Sequence, residues 1–342
     1  MAKYFITIIA LTSLLLGLCC KKEPCITCST PPEDTTSHNQ WIKVESGVTT
    51  CLNDVDFPDD QNGWVVGDDG VILNSKNGGE SWQRQICPIG GFLFAVDFTD
   101  NKNGWICSRD SILRTTNGGE SWEIKYSGDL GHRYFRDIQF LNKNIGFVVG
   151  EISVLLKTED GGETWQQASL NSWPTLTHIS IVDEQNIWVC GFNGTILLST
   201  DIGSTWIKKN LNISPSPYLE TIQFVDQYNG WASSVNDHLG FYRTTDGGNT
   251  WIQRSKDDSL YYLLGVQTFF FIDPLNGWLT TSLGGRFAKT IDGGLKWEYL
   301  PEDVTAYIYS FYFRNKNLGW AVGLKVSHSK REGVIFLYRN TK

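Results

Sequence analysis

Carboxylates are the side chains with which this chain could most readily do chemistry. Four of them, with two asparagines at equivalent positions, recur in one short sequence motif. An Asp or Asn stands one or two residues before a glycine and five residues before a tryptophan, in six copies. The six are Asn77, Asn117, Asp160, Asp201, Asp246 and Asp292. Such side chains accept N–H hydrogen bonds across a turn, and the glycines tolerate positive φ. A glycosidase also needs a second carboxylate about 5 to 10 Å away, so the repetition favours structural turns over catalysis.

Histidine and cysteine offer little further chemistry. The five histidines are scattered without the spacing of metal ligands. The sequence has no phosphate-binding loop, nucleophile elbow or H-E-x-x-H motif. Cys25 and Cys28 form a C-x-x-C, but it follows no strand and opens no helix, so a loop disulfide or no role is favoured over a redox site. We therefore expect neither a metal nor a cofactor.

Composition narrows the partners and the fold class. The 342 residues include 29 Lys and Arg against 37 Asp and Glu, a net charge of -8 that repels a polyanion. We therefore exclude nucleic acid as a partner. A hydrophobic content of 41% is enough for a core and excludes a disordered chain. Fourteen Trp, 13 Tyr and 18 Phe beside a single Met are typical of a β-rich protein.

A repeat of about 43 residues must position these side chains. One register of tryptophans comprises Trp41, Trp82, Trp122, Trp165, Trp206, Trp251 and Trp297. A second aromatic register comprises Trp64, Trp105, Phe147, Trp188, Trp231, Trp278 and Trp320. In each unit two apolar positions, such as Val55 and Phe57, lie two residues apart, which indicates an inner strand. Four short strands per period are typical of a propeller blade. We predict an all-β protein with a single seven-bladed propeller over residues 40–342.

The ends of the repeat predict how the ring closes. Trp41 occupies an outer-strand position with no inner strands before it, and the last unit stops without an outer strand. Residues 40–46 should therefore pair beside residues 333–340 and complete one blade, which removes an exposed sheet edge.

One face of such a propeller should carry its binding residues. The connections from an outer strand to the next inner strand, and from a second to a third strand, vary here and should surround the mouth of the central channel. Arginine and aromatic residues in such loops suit a protein interface. The candidates are Arg109, Arg133, Tyr134, Arg136, Trp173, Tyr218, Tyr261, Tyr262 and Arg286. Trp173 is the one tryptophan outside both registers, so it is either a lid over the blade or a contact residue.

The N-terminus has the pattern of an export signal. An apolar run from residue 4 to residue 18 is too short to span a bilayer comfortably and ends at Cys19 and Cys20. Cysteine at that point resembles the lipidation site of bacterial lipoproteins, with Cys20 slightly preferred over Cys19 and an ordinary secretory signal as the alternative. We predict a signal peptide over residues 1–19 and a flexible tether over residues 20–39.

The glycine–tryptophan strands, the six turn motifs and the seven-unit ring together resemble the photosystem II stability and assembly factor family. The turn motif itself is similar to the Asp-box of sialidases. The resemblance implies a lipid-anchored propeller that escorts a membrane or exported protein, here as a bacterial lipoprotein of the cell envelope. We therefore expect a monomeric, non-enzymatic binding or assembly module. A glycoside hydrolase, with Glu220 or Asp237 as its carboxylate, is the alternative.

Overall fold

The structure is a computed structural model that describes residues 40–128, 134–168, 174–213, 216–234, 240–253, 266–281, 286–300, 306–327 and 330–340. The predicted signal peptide and tether, with Cys19 and Cys20, lie outside the described residues. Within the described ranges, no helix is long and apolar enough to cross a membrane.

Twenty-eight strands form seven four-stranded antiparallel sheets, which confirms the predicted all-β propeller. The first strand of the described residues is β1 (Gln40–Val44). Blade 1 contains β2 (Leu52–Asp56), β3 (Gly63–Gly67), β4 (Val71–Ser75) and β5 (Gln83–Arg84), and blade 2 contains β6 (Leu93–Phe98), β7 (Gly104–Ser108), β8 (Ser111–Thr115) and β9 (Glu123–Ser127). Blade 3 contains β10 (Phe135–Phe140), β11 (Gly146–Gly150), β12 (Val154–Thr158) and β13 (Gln166–Gln167), and blade 4 contains β14 (Leu176–Asp183), β15 (Asn186–Gly191), β16 (Thr195–Ser199) and β17 (Ile207–Asn210). Blade 5 contains β18 (Leu219–Phe224), β19 (Gly230–Ser234), β20 (Phe241–Thr244) and β21 (Ile252–Gln253), and blade 6 contains β22 (Val266–Phe271), β23 (Gly277–Thr281), β24 (Phe287–Thr290) and β25 (Glu298–Tyr299). Blade 7 contains β26 (Tyr307–Asn315), β27 (Leu318–Ser327) and β28 (Lys330–Arg339). A single 3-10 turn covers Asp68–Gly70.

The ring closes as the sequence predicts. Strand β1 is the outer strand of blade 7 and pairs antiparallel with β28, from Gln40 opposite Arg339 to Val44 opposite Ile335. Trp41 is buried and stacks on Phe287 of blade 6, with ring centroids 4.3 Å apart. The first strand of the chain therefore completes the last blade and also packs against the blade before it.

Neighbouring blades are held together by a repeated aromatic contact. The tryptophan that opens the second strand of one blade stacks on the phenylalanine that ends the first strand of the next blade. Five such pairs follow the chain, Trp64–Phe98, Trp105–Phe140, Trp188–Phe224, Trp231–Phe271 and Trp278–Phe313, and Trp320–Phe57 joins blade 7 to blade 1. Centroid distances of 3.5 Å to 3.9 Å place these rings in direct contact. Six of the seven junctions therefore share one aromatic contact.

The glycine before that tryptophan is required by the same packing. A Cβ on Gly104 would lie 2.3 Å from the Phe98 ring of its own blade, and one on Gly63 would lie 2.2 Å from the Phe57 ring. Only a residue without a side chain leaves room for the phenylalanine. The G-W pair of the repeat is thus one packing unit.

Candidate binding site at the channel mouth

The first strands of all seven blades surround a central cavity of about 540 Å³. A bulge near the start of each first strand interrupts the alternation of its side chains. After the bulge every second residue points into the blade, and the residues between face the channel. In blade 1, for example, Leu52 and Val55 are buried in the core, while Asn53, Asp54 and Asp56 line the cavity. Sequence reasoning identified the apolar positions of these strands but passed over the polar ones between them.

Channel-facing side chains bond each of blades 1 to 5 to the blade that follows it. The side chain between the two residues of the buried apolar pair accepts a hydrogen bond from a backbone N–H of the first strand of the next blade, one repeat along the chain. Asp56 Oδ2 accepts from Phe98 N at 2.8 Å, and Asp97 Oδ2 accepts from Phe140 N at 3.0 Å. The same bond is made by Gln139 to Ile181, by Ser180 to Phe224 and by Gln223 to Phe271. Inner strands are the unpaired edges of their sheets, so these bonds satisfy edge groups that would otherwise be exposed to the channel.

Asp54 and Asp137 make an equivalent bond two residues earlier in their strands. Asp137 Oδ2 accepts from Ile179 N at 2.7 Å. Asp54 Oδ2 accepts from Val96 N at 2.9 Å, and its Oδ1 accepts from the Ser310 hydroxyl at 2.7 Å. Because Ser310 belongs to blade 7, Asp54 links blades 7, 1 and 2 at the point where the ring closes.

Burial has the largest effect on the pKa values of these carboxylates. It raises the pKa of Asp54 and of Asp56 to about 7, against a usual 3.8, although backbone hydrogen bonds oppose the rise. Burial also raises the pKa of Asp97, with the charge of Asp56 adding to the effect, and that of Asp137. The channel therefore holds several aspartates whose protonated form the fold favours.

The loop face is the side of the propeller that bears the second-to-third-strand turns and the connections between blades. Backbone bonds join the two kinds of loop there, as from Phe135 N to Arg109 O at 3.2 Å and from Gly194 N to Pro217 O at 2.7 Å. The arginine and aromatic candidates that the structure describes lie in these loops or at the first residues of the inner strands.

Two of the candidates form a pair between blades 2 and 3. The Arg109 guanidinium lies 4.2 Å from the centroid of the Tyr134 ring and also donates a hydrogen bond to its hydroxyl. Arg136, two residues later, lines the cavity and forms an ion pair with Glu151 at 2.7 Å. Burial raises the pKa of Glu220, and the positive charge of Arg136 opposes that rise. The two side chains therefore interact electrostatically at the channel mouth.

Other candidates lie at separate points of the loop face. Tyr218 is 43% exposed and stacks on Phe192 with centroids 4.7 Å apart. The Arg286 guanidinium lies 5.8 Å from the Tyr299 ring, at the outer strand of blade 6. The structure thus pairs Arg109 with Tyr134, places Arg136 two residues further along the chain at the cavity, and leaves Arg286 elsewhere. Arg133, Trp173, Tyr261, Tyr262 and Asp237 lie outside the described residues.

The six Asp or Asn residues of the turn motif lie on the opposite side, which we call the turn face. It bears the first-to-second-strand turns and the turns before each outer strand, joined by bonds such as Gly161 N to Asn144 O at 2.8 Å. Asp160 Oδ1 accepts from the Thr158 hydroxyl at 2.8 Å and from Thr164 N at 2.9 Å. Its Oδ2 accepts from the Thr164 hydroxyl at 2.7 Å. Equivalent acceptor bonds are made by Asn77, Asn117, Asp201, Asp246 and Asp292.

These turns also receive a bond from the preceding blade. Trp105 Nε1 donates to Gly161 O at 2.8 Å, and Trp320 Nε1 donates to Gly78 O at 3.1 Å. Trp278 Nε1 is buried with no partner among the described residues. Blade 7 takes its outer strand from β1 and has no such turn opposite Trp278, but Trp188 Nε1 is likewise buried without a partner among the described residues although blade 5 has the turn. The six carboxylates and amides therefore have structural bonds on the face away from the candidate loops.

In the described part of the chain, no group of three or more His, Cys, Asp or Glu side chains could hold a metal.

Comparison with known proteins finds similarity to one family. A family model described as "Photosynthesis system II assembly factor YCF48" matches residues 33–90 and 86–175. The chain is 26% identical to the photosystem II assembly lipoprotein Ycf48 of Picosynechococcus sp. over 329 residues, which cover 92% of this chain and 91% of that protein. It is also 26% identical to the Ycf48 lipoprotein of Synechococcus sp., covering 58% of this chain and 60% of that relative. The structure of YCF48 bound to D1 peptide superposes with a TM-score of 0.73 at 20% identity, covering 92% of this chain and 100% of that one, which shows a common fold.

Proposed function

We propose that this chain, a seven-bladed propeller of the photosystem II assembly factor-like family, is a non-enzymatic protein of the cell envelope that binds a segment of another exported or membrane protein at its loop face. The observation that carries the proposal is a cluster formed by the Arg109–Tyr134 pair and by Arg136, which lies two residues after Tyr134 and lines the cavity. Arginine and tyrosine are the residues enriched where interfaces gain most of their affinity. The similar structure of YCF48 holds a D1 peptide, which supports a peptide segment as the partner here.

The geometry of the cluster suits a peptide better than a small molecule. The Arg109–Tyr134 pair offers a flat cation and ring surface, and Tyr218 with Phe192 offers a second stacked pair. Arg136 presents guanidinium donors at the edge of the cavity. Donors of this kind bind carboxylate or carbonyl oxygens, and the rings bind apolar side chains. A segment of extended chain offers both kinds of group.

A hydrolase has less support. Asp54, Asp56, Asp97 and Asp137 have raised pKa values in a cavity, which is common at active sites. Each of them, however, accepts a backbone hydrogen bond from the next blade, and Gln139, Ser180 and Gln223 do the same in other blades. Amides and a hydroxyl serve equally well at the position of Asp56 and Asp97, so the joining of blades explains those two aspartates. Asp54 and Asp137 make the corresponding bond two residues earlier.

The relatives also support the predicted anchor. Those described above are named as lipoproteins, and Cys19 or Cys20 stands where a lipidated cysteine is expected. We propose attachment through one of these cysteines, outside the cytoplasm, with a monomeric propeller. Intact-mass analysis of the membrane fraction tests this, because a diacylated N-terminal cysteine differs in mass from a product cut elsewhere. A product without lipid in the wild-type membrane fraction would contradict the proposal.

Affinity capture from detergent-solubilised envelope tests the binding function. The triple substitution Arg109→Ala, Tyr134→Ala and Arg136→Ala should abolish capture of the partner, while thermal unfolding stays close to that of the wild type. A matched control replaces three exposed turn-face residues, Lys76, Thr116 and Glu159, by alanine. Equal loss of capture in both variants, or in neither, would contradict binding at the loop face.

A further inference from the structure

The turn face of blade 6 is apolar where the other blades are polar. In the turn motif of that blade, Ile291 and Leu295 flank Asp292. At the position of Ile291 the five other copies have Lys76, Thr116, Glu159, Thr200 and Thr245. At the position of Leu295 they have Glu80, Glu120, Glu163, Ser204 and Asn249. The repeat needs no apolar residue at either place, so the packing of the blade does not explain them.

A third apolar residue lies beside these two. Leu275 is in the first-to-second-strand turn, where blades 1, 2 and 4 have Gln61, Lys102 and Gln185 and blade 5 has the exposed Tyr228. Its carbonyl accepts a hydrogen bond from Gly293 N at 2.8 Å, so the two turns touch. Leu275 is 53% exposed, Ile291 72% and Leu295 68%. We call these three residues the blade-6 patch.

The charges around the patch differ from those of the other turns. Leu295 replaces a glutamate of blades 1, 2 and 3, which removes a negative charge from the tip. Exposed Lys296 follows Leu295, and exposed Lys316 of blade 7 lies close by. Backbone hydrogen bonds, and then Lys316, lower the pKa of Asp273 despite its partial burial. In a chain with a net charge of -8, this turn combines exposed apolar side chains with lysines.

The chain enters the propeller on the same face. Gln40 pairs with Arg339, and Arg339 forms an ion pair with Glu80 of the blade 1 turn motif at 2.8 Å. Asn340 N donates to Asn317 O at 3.0 Å, in the turn of blade 7 that also contains Lys316. The start of β1 is therefore at the turn face, one blade away from the patch. Only 19 residues separate Cys20 from Gln40, and they reach at most about 65 Å when fully extended.

We propose that the blade-6 patch rests on the lipid–water interface of a bilayer, with Leu275, Ile291 and Leu295 inserted among the headgroups. The proposal rests on the lipid anchor of the proposed function. A chain tethered at the start of β1 brings the turn face toward the membrane, and exposed aliphatic residues beside lysines are typical of interfacial segments. A second contact besides the lipid would fix the orientation of the propeller. The loop face then points away from the bilayer, toward the partner.

Photolabelling of the full lipidated protein tests the contact. The protein is reconstituted into vesicles of phosphatidylcholine with about 30% phosphatidylglycerol and a phospholipid that carries a photoactivatable group near the headgroup. Labelled peptides are then mapped by mass spectrometry. We expect labels in the peptides that contain residues 275 and 291–295, and about tenfold fewer in the turn of blade 3 around Glu159 and Glu163. A difference of about tenfold in labelling between the two turns is expected if the apolar side chains of blade 6 move from water into the interface.

A variant with Ile291→Thr and Leu295→Glu, the residues of other blades, serves as the matched variant. It should fold and remain anchored but lose the labels in this turn. Uniform labelling of all turns, labelling of the loop face, or crosslinks between copies of the chain would overturn the proposal. The intact mass shows separately whether the protein carries its lipid anchor. If it does not, the unlipidated protein is mixed with the same vesicles at high lipid concentration. An unlabelled blade-6 turn in that experiment would also overturn the proposal.

Discussion

Asp160 illustrates how the turn motif uses a single residue. Its carboxylate accepts bonds from Thr158 and from both the N–H and the hydroxyl of Thr164. Hydrogen bonds, of which that from the Thr164 hydroxyl has the largest effect, lower the pKa of Asp160 to about 2. The residue thus acts as a turn cap in its charged form, on the face opposite the candidate binding loops.

Replacing Asp160 by alanine should lower the free energy of unfolding by about 1 kcal/mol, the usual effect of losing such a cap. Asp160→Asn is the matched control and should have a smaller effect, because Asn77 and Asn117 make the same acceptor bonds in blades 1 and 2. Urea unfolding measures both values. An alanine variant as stable as the wild type would show that the cap contributes nothing.

The channel aspartates predict the pH dependence of stability. The pKa of Asp54 and of Asp56 is about 7 in the folded protein but near 3.8 when unfolded. At pH values between about 4 and 7 the folded protein binds more protons than the unfolded chain. The stability that Asp54 and Asp56 contribute at low pH is therefore lost as the pH rises through 7. The lowered pKa values of Asp160, Asp201 and Asp246, about 2, act in the opposite sense, and their contribution is lost as pH falls below about 4. These groups together predict a maximum of stability near pH 4.

Urea midpoints at pH 5 and pH 8 measure the first effect, and the midpoint should be higher at pH 5. In Asp56→Asn the difference should shrink, because an amide oxygen can still accept the bond from Phe98 N but does not titrate, as Gln139 shows in blade 3. A wild-type midpoint that rises from pH 5 to pH 8 would contradict the assignment.

At the scale of the element, each blade depends on the glycine, tryptophan and phenylalanine that meet at its inner strands. Gly104→Ala should lower the free energy of unfolding by about 1 to 3 kcal/mol, the usual effect of overpacking, because the new Cβ would lie 2.3 Å from the Phe98 ring. Gly90→Ala is the control, since nothing lies within 4 Å of its Cβ position, and it should change stability by less than about 0.5 kcal/mol. Chemical denaturation compares the two. Equal effects would mean that the close approach at Gly104 is unimportant.

The elements show which features the sequence could predict. Tryptophans and glycines at a constant spacing are visible in one chain, because packing allows few residue types there, so the blades and their number were predictable. The channel bonds were not, because Asp56, Asp97, Gln139, Ser180 and Gln223 share a role without sharing a residue type. Likewise, the grouping of Arg109 with Tyr134 depends on contact between two loops 25 residues apart.

At the scale of the whole molecule, the closing strand determines whether seven blades form one ring. Trp41 is 5% exposed and packs between blades 6 and 7, whereas its neighbour Ile42 is 44% exposed. Trp41→Ala should therefore lower the free energy of unfolding by about 3 to 5 kcal/mol, and Ile42→Ala by less than about 0.5 kcal/mol. Thermal and urea unfolding measure the difference. Similar values for both variants would imply that β1 adds little to the ring.

The two faces of the ring have different chemistry. The loop face has arginine and aromatic pairs at the channel mouth, and the turn face has capped turns and the start of β1. This separation predicts that a protein partner reaches the loop face of the native molecule. It also predicts that substitutions on the turn face leave binding of that partner intact.

Site-specific photocrosslinking in the native envelope tests this most directly. A photoreactive phenylalanine analogue is placed at Tyr218 on the loop face or, as the control, at exposed Thr200 on the turn face. We predict a discrete protein adduct from position 218, none of the same mass from position 200, and no turnover of fluorogenic glycosides. An adduct from position 200 alone would contradict the account, as would glycoside turnover that disappears in Glu220→Gln.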